Sequence, residues 1–328
     1  MRALRVHELG EPEDVLVLDD DVPDLEPGPE QLVVAVRAAA LNFADVLLCR
    51  GGYQVKPPLP FTPGLELAGE VVATGGAVTR WKPGDQVVGV SALPAGSLAQ
   101  QAVMEASDAY AALPGLDAAG NAAHFITYQT AHVGLHRRAG LRAGETLLVH
   151  AGAGGVGSAA IQLGKAAGAT VIATAGGPAK VALCRQLGAD HVVDYSGDDF
   201  VDAVKHVTGG RGADVIFDPV GGDVFARSLK VVAFEGRVVI VGFASGAISE
   251  ARLNHVLVKN YSLLGLHWGL YRTKDPSVIQ ATHDALTTIA ADGHLQPLVS
   301  ERLPLGEAAA ALTRMAHRQT TGKVVILP

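Results

Sequence analysis

Val149-His150-Ala151-Gly152-Ala153-Gly154-Gly155-Val156-Gly157 lies between an apolar run, 146–149, and a helix-like run, 158–167. The order is strand, glycine loop, helix, and Gly152, Gly154 and Gly157 satisfy G-x-G-x-x-G. In such a loop the first glycine permits the tight turn. The second lets backbone approach a pyrophosphate, and the third lets the helix pack on the strand. The phosphate charge would then rest on the exposed N–H groups of the helix N-terminus. Gly-rich turns are common in a chain with 39 glycines, so a purely structural turn is the alternative. The strand–loop–helix context favours a dinucleotide site.

Working outward from that loop, the pattern from about residue 122 repeats. Apolar runs 146–149, 170–174, 191–193, 214–217 and 237–241 alternate with helical stretches 158–167, 179–187, 198–207 and 223–231. Alternation of this kind predicts a parallel sheet covered by helices on both faces. After Leu266 it stops, leaving helices expected over 276–292 and 306–320 and a strand over 323–327. The first hundred residues differ. Short β-branched runs at 31–37, 69–73 and 86–90, bounded by turn residues such as Pro83-Gly84-Asp85, read as strands of an all-β or α+β domain.

A chain of 328 residues is long for a single core, so two domains are expected. The composition, 48% hydrophobic and 18% charged, is that of a soluble globular protein. With a net charge of −7 and no basic cluster, nucleic acid is not expected as the main partner. No uninterrupted apolar run is long enough to span a membrane. Residues 1–10 lack the apolar core of a signal peptide, so a cytoplasmic location is expected. Cys49 and Cys184, the only cysteines, form neither a disulfide framework nor a four-cysteine zinc lobe and read as packing residues.

The second strand of the alternating region ends at Thr174, where an NAD-preferring site usually places Asp or Glu for the ribose 2′-hydroxyl. Here the sequence is Thr174-Ala175-Gly176-Gly177-Pro178-Ala179-Lys180, without a carboxylate. That tolerates a 2′-phosphate, with Lys180 as a point charge, and favours NADPH. A solvated lysine in a first helical turn is the plainer reading of Lys180.

Leu41-Asn42-Phe43-Ala44-Asp45, Pro63-Gly64-Leu65-Glu66-Leu67-Ala68-Gly69, Pro83-Gly84-Asp85-Gln86-Val87, Gly96-Ser97-Leu98-Ala99, Asp218-Pro219-Val220-Gly221-Gly222 and Gly322-Lys323-Val324-Val325 accompany the glycine loop. In this order, over the whole chain, they resemble the medium-chain dehydrogenase/reductase superfamily, and within it the zinc-independent quinone oxidoreductase branch that includes zeta-crystallin. The resemblance implies an α/β protein. A GroES-like β-rich catalytic domain (1–121 and 268–328) would carry an inserted Rossmann domain (122–267), with NADPH in the cleft between them. It further implies a homodimer formed through the strand within Leu263-Leu264-Gly265-Leu266-His267-Trp268-Gly269.

Where the zinc-dependent alcohol dehydrogenases have a ligand Cys and a ligand His, this chain has Asn42 and Leu65. Neither side chain replaces a thiolate or imidazole, so no metal is expected. His132 and His136, four apart, are expected on an ordinary helix surface. Alcohol oxidation needs a Lewis acid, whereas a quinone or α,β-unsaturated carbonyl is already electrophilic. Hydride transfer to such an acceptor requires only positioning and hydrogen-bond donors. No nucleophilic triad pattern and no G-x-S-x-G occurs.

By resemblance, Asn42, Tyr53 and His267 are the candidate catalytic residues. Asn42 would bind the nicotinamide ribose or the substrate, or else cap a turn. Tyr53, in Gly51-Gly52-Tyr53, would face the substrate or pack in the core. His267 is a candidate proton donor, or with Trp268 a buried interface residue. Asp45 is expected to fix a helix start or a buried hydrogen bond rather than to shuttle a proton. Val46-Leu47-Leu48 stands where the family often has a second substrate tyrosine. Thr127, Gly155, Val156, Gly176, Lys180, Tyr195, Phe243, His267 and Lys323 are implied on the cofactor side. The expected activity is NADPH-dependent reduction of a quinone or conjugated carbonyl. An enoyl-thioester or alkenal reductase and a non-catalytic NADPH-binding, crystallin-like or RNA-binding protein are the alternatives.

Overall fold

Strand formation follows the β-branched runs closely. In the computed structural model, which describes residues 1–328, β1 (Ala3–Val6), β2 (Leu16–Asp19), β3 (Gln31–Ala40), β4 (Glu66–Thr74), β5 (Gln86–Val90), β6 (Gln101–Glu105) and β7 (Ala109–Ala111) come first. β8 (Thr146–Val149), β9 (Thr170–Ala175), β10 (His191–Asp194), β11 (Ala213–Asp218), β12 (Val232–Ile240) and β13 (Ser262–Gly265) follow. β14 (Val299–Pro304) and β15 (Lys323–Leu327) close the series. No helix is long and apolar enough to cross a membrane.

The chain forms two compact units, residues 1–126 with 296–328, and residues 127–295. The first unit holds a sheet ordered β14-β15-β3-β4-β5-β7, with β6 also on β3. β3 is long enough to share one edge. Gln31–Ala35 take β6, and Ala39 and Ala40 take β15. Leu32, Val34, Leu67, Leu98, Met104, Leu312 and Ile326 fill its core.

In the second unit all pairings are parallel, in the order β10-β9-β8-β11-β12-β13. This is the doubly wound arrangement with its strand order reversing between β8 and β11. Ligands bind such sheets outside the carboxyl ends of the strands at the reversal, and the loop 150–157 leaves β8 there. Buried Leu148, Ile172, Ile216, Phe225 and Val238 belong to the core on one sheet face.

The return to the first unit comes at 295/296, later than the expected 267/268, and the entry at 126/127 rather than 121/122. The reason is tertiary. Gln129 Nε2 donates to Ile279 O at 3.0 Å, and Arg137 pairs with Asp275 at 3.3 Å, so the helix Pro276–Ala291 packs with the second unit. The helix expected over 306–320 is shorter, Ala308–Ala316, and a left-handed Arg318 (φ 61°) lies just beyond it. His132 and His136 do share a face, ring centroids 4.5 Å apart, where the helix Ala118–His132 widens into a π turn, Val133–Arg138. Both are half-buried rather than on an open surface, and burial pushes His132 down to about 4.

Candidate active site

Each fingerprint glycine has its own reason to lack a side chain. A Cβ on Gly157 would lie 2.2 Å from the backbone oxygen of Ala151. One on Gly152 would meet Cys184 Sγ at 2.9 Å and the Ala173 and Ile161 side chains at 3.0 Å. Gly154 is different, since its Cβ would approach only Ala151 O, at 3.3 Å. Internal packing hardly demands glycine there, which fits a position kept bare for a ligand. Gly154 N donates to Ala151 O, and Ala151 itself sits at φ 51° to close the turn. The helix Gly155–Ala166 that follows has no side-chain cap, so the N–H groups of Gly155, Val156 and Gly157 open it without a competing side-chain acceptor.

His150, just before the loop, anchors it. Ser228 Oγ donates to Val224 O, so it accepts from His150 Nε2 at 2.8 Å. Nδ1 then accepts from Thr174 Oγ1 at 3.1 Å. Burial, reinforced by the Arg227 charge, pushes this imidazole down to about 3 and keeps it neutral. β8, β9 and the helix Gly222–Ser228 are tied together beside the loop.

Beyond β9, Gly176 and Gly177 (φ 84°) lead into the helix Pro178–Gln186, with Lys180 in its first turn. Tyr195 follows β10 and is 58% exposed, its ring 2.7 Å from where a Gly176 Cβ would stand. A carboxylate does come near in space, that of Asp194 on β10. Its Oδ1 accepts from Gly177 N at 2.9 Å and Ser196 N at 3.0 Å, and these backbone donors hold the group below the usual carboxylate range. Thus Asp194 shapes the loop. Phe243, half-exposed, lies against Gly221. Asp218, buried at the carboxyl end of β11, accepts from Val220 N and Gly221 N, and its pKa is raised by burial. His267 is exposed and Trp268 buried within the single chain. Thr127 is buried.

In the first unit, Asn42 precedes the helix Phe43–Cys49, and Asp45 Oδ2 accepts from Asn42 N at 2.8 Å. Asp45 Oδ1 accepts from Gly64 N and Leu65 N. Burial pushes Asp45 up to about 6 against those hydrogen bonds and the Lys323 charge. The carboxylate therefore fixes the helix start and takes buried hydrogen bonds from the 64–65 backbone. Lys323 Nζ donates to Leu41 O at 2.8 Å, Asn42 Oδ1 at 2.7 Å and Glu66 Oε2 at 2.9 Å. Glu66 Oε2 also accepts from Asn42 Nδ2 at 3.0 Å, and Oε1 from Ile126 N at 2.6 Å. The ion pair is enclosed, with Lys323 4% and Glu66 0% exposed. Asn42 and Lys323 are thus brought together. Tyr53 instead packs, half-buried, against the cluster of Val6, Val15, Leu48, Cys49, Phe61 and Leu65.

Glu66, His150 and Asp194 are the polar anchors that reading the sequence overlooks. A signal existed for the first. Glu66 is the lone charge in Leu65-Glu66-Leu67-Ala68, as Lys323 is in Lys323-Val324-Val325-Ile326, and a charge opening a buried strand needs a partner.

Residues 28–137 match the family described as Alcohol dehydrogenase GroES-like domain, and residues 155–286 that described as Zinc-binding dehydrogenase. Quinone oxidoreductase-like protein 2 homolog from Nematostella vectensis is 38% identical over 326 residues, covering 99% of this chain and 88% of that protein. The crystal structure of Escherichia coli quinone oxidoreductase complexed with NADPH superposes with a TM-score of 0.91 at 30% identity, covering all of both chains. That of CurK enoyl reductase superposes at 0.88 with 29% identity, over 99% of this chain and 98% of the other. With both halves matched and a relative this similar over 99% of the chain, the chain belongs to the medium-chain dehydrogenase/reductase superfamily, in its quinone oxidoreductase-like branch.

Proposed function

We propose that this protein reduces a quinone or another conjugated carbonyl with NADPH and uses no metal. The observation that carries the reading is the buried Glu66–Lys323 pair hydrogen-bonded to Asn42, which with Leu65 stands where zinc-dependent alcohol dehydrogenases have metal ligands. Glu66 already holds an ammonium, Asn42 has its amide engaged, and Leu65 has no donor atom. A divalent cation here would meet a resident positive charge and lack thiolate and imidazole ligands. No three His, Cys, Asp or Glu side chains converge elsewhere.

NADPH supplies a hydride when bound. The uncapped helix start at Gly155 and the bare Gly154 suit its pyrophosphate, while Lys180 and the exposed Tyr195 suit the 2′-phosphate end. Asp194 turns its Oδ1 to the backbone donors Gly177 N and Ser196 N and so holds the loop that carries Lys180. The protein's part is then orientation of an acceptor that is electrophilic without help. Likeness to CurK enoyl reductase supports enoyl-thioester reduction as the second reading.

Chelator-dialysed protein assayed for NADPH and NADH consumption against quinones, enals and enoyl thioesters decides among these. Quinone or enal turnover is expected, and Lys180→Ala should weaken NADPH about tenfold, with little change for NADH. Activity that returns only with zinc overturns the metal-free reading. Equal losses for both cofactors remove Lys180 from the 2′-phosphate.

A homodimer is also proposed. β13 is the end strand of its sheet, and Phe234, Ile248, Leu253, Leu257 and Val258 are between 72% and 80% exposed. An open edge with this much apolar surface favours pairing with a second copy. Sedimentation should give a dimer that Leu257→Asp weakens; a wild-type monomer at micromolar concentration contradicts it.

A further inference from the structure

At the amino ends of β11 and β12, the sheet edge opposite the loop 150–157, a cleft of about 260 Å³ gathers Lys205, Arg211, Lys230 and Lys259. All four belong to the second unit. Lys205 comes from the helix Phe200–Val207, Arg211 from the turn after it, and Lys230 from just ahead of β12, while Lys259 ends the helix Leu253–Lys259. No carboxylate lines the cleft, in a chain whose net charge is −7.

The four cations are not equally free. Arg211 is engaged, donating to Asp214 and, at 3.2 Å, to Thr146 Oγ1. Lys259 Nζ donates once, to Leu229 O at 3.2 Å, which leaves two of its three donors open. Lys205 and Lys230, both exposed, make no hydrogen bond or ion pair. The carboxylate that feels the Lys230 charge, Asp199, is already bound by Arg227 at 2.6 Å. A cation in the last turn of a helix offsets the helix dipole, and Lys205 and Lys259 each stand in such a turn. That reason acts on one helix at a time and gives no cause for both to meet Lys230 over one cleft. Like charges gathered without a counter-ion repel one another, and a shared anion turns that cost into attraction. The rim is held by unusual backbone. Asn260 (φ 52°) follows Lys259 directly, and its oxygen accepts from Glu235 N at 2.8 Å. Glu235 is itself left-handed (φ 57°), which a long side chain rarely allows, and such conformations cluster at ligand sites. Phe234 forms one wall, but it belongs to the apolar surface assigned to the dimer and offers an anion nothing.

We propose that this cleft binds a small multivalent phosphate, a diphosphate or a phosphomonoester, through the ammonium groups of Lys205, Lys230 and Lys259. With Arg211 engaged, no planar fork is left to match a carboxylate, and the remaining donors act as point charges that favour a compact, highly charged anion. Calorimetric titration with pyrophosphate at constant ionic strength, with and without saturating NADPH, tests the site. Wild type should bind with a dissociation constant below about 1 mM in both conditions. Lys205→Met/Lys230→Met should weaken binding at least about tenfold, and Lys205→Glu about as much. Both variants should melt with wild type, because the side chains they replace are exposed. Glycerol phosphate should bind more weakly than pyrophosphate and lose affinity in the same variants. Absence of saturable binding, binding that NADPH abolishes, or unchanged affinity in the folded double variant overturns the site. Citrate bound as tightly as pyrophosphate overturns phosphate as its ligand.

Discussion

Gly157→Ala should abolish cofactor binding and destabilise the protein, whereas Gly154→Ala should do the first with little of the second. The Cβ added at Gly157 would lie 2.2 Å from Ala151 O, 2.9 Å from Ala151 C and 2.9 Å from Gly152 Cα. All three are backbone atoms and none belongs to a rotatable side chain. Relief requires moving the helix Gly155–Ala166 off the turn, at a cost of about 1–3 kcal/mol. The same movement withdraws the helix start from the phosphates, and a loss above about 100-fold in NADPH affinity is expected. At Gly154 the approach of 3.3 Å to Ala151 O is tolerable, but the methyl group occupies the space a pyrophosphate needs. Thermal melts and NADPH titrations of both variants separate the two effects. Wild-type affinity in Gly154→Ala would mean that the loop binds no phosphate.

The second large effect is expected from Lys323→Met. It leaves Glu66, which has no exposed surface, with a buried charge and only the Asn42 and Ile126 donors. Stranding one partner of a buried ion pair costs about 3–5 kcal/mol, which should lower the melting temperature by roughly 10 °C. Removing Glu66 and Lys323 together should restore most of it, because no charge is then stranded. A single variant that melts with wild type would show that water or a rearranged donor reaches Glu66, and the cluster would not be the closed unit described above.

What the sequence discloses follows how local each determinant is. The glycine loop, the alternating strands of the second unit and the helix-fixing role of Asp45 all depend on residues within a few positions of one another. The return point at 295/296 depends on Gln129 meeting Ile279, 150 residues away, and periodicity carries no trace of that contact. The Glu66–Lys323 pair spans 257 residues. Each partner is visible alone as an odd charge in an apolar strand, yet nothing local says that they meet. Asp194 illustrates the opposite case. No carboxylate follows β9 in the sequence, yet one arrives from the neighbouring strand, its Oδ1 bound to Gly177 N and Ser196 N.

The insertion of one unit within the other also sets an order in time. Residues 127–295 are contiguous, so the second unit can fold as soon as it has left the ribosome. The first unit cannot. β3 must wait for β15, and Glu66 must wait for Lys323, until the closing strand of the chain is made. During synthesis the parallel sheet of the second unit is therefore complete before the sheet of the first. A nascent chain stopped short of position 323 would carry a finished second unit and a first unit whose Glu66 still lacks its ammonium partner.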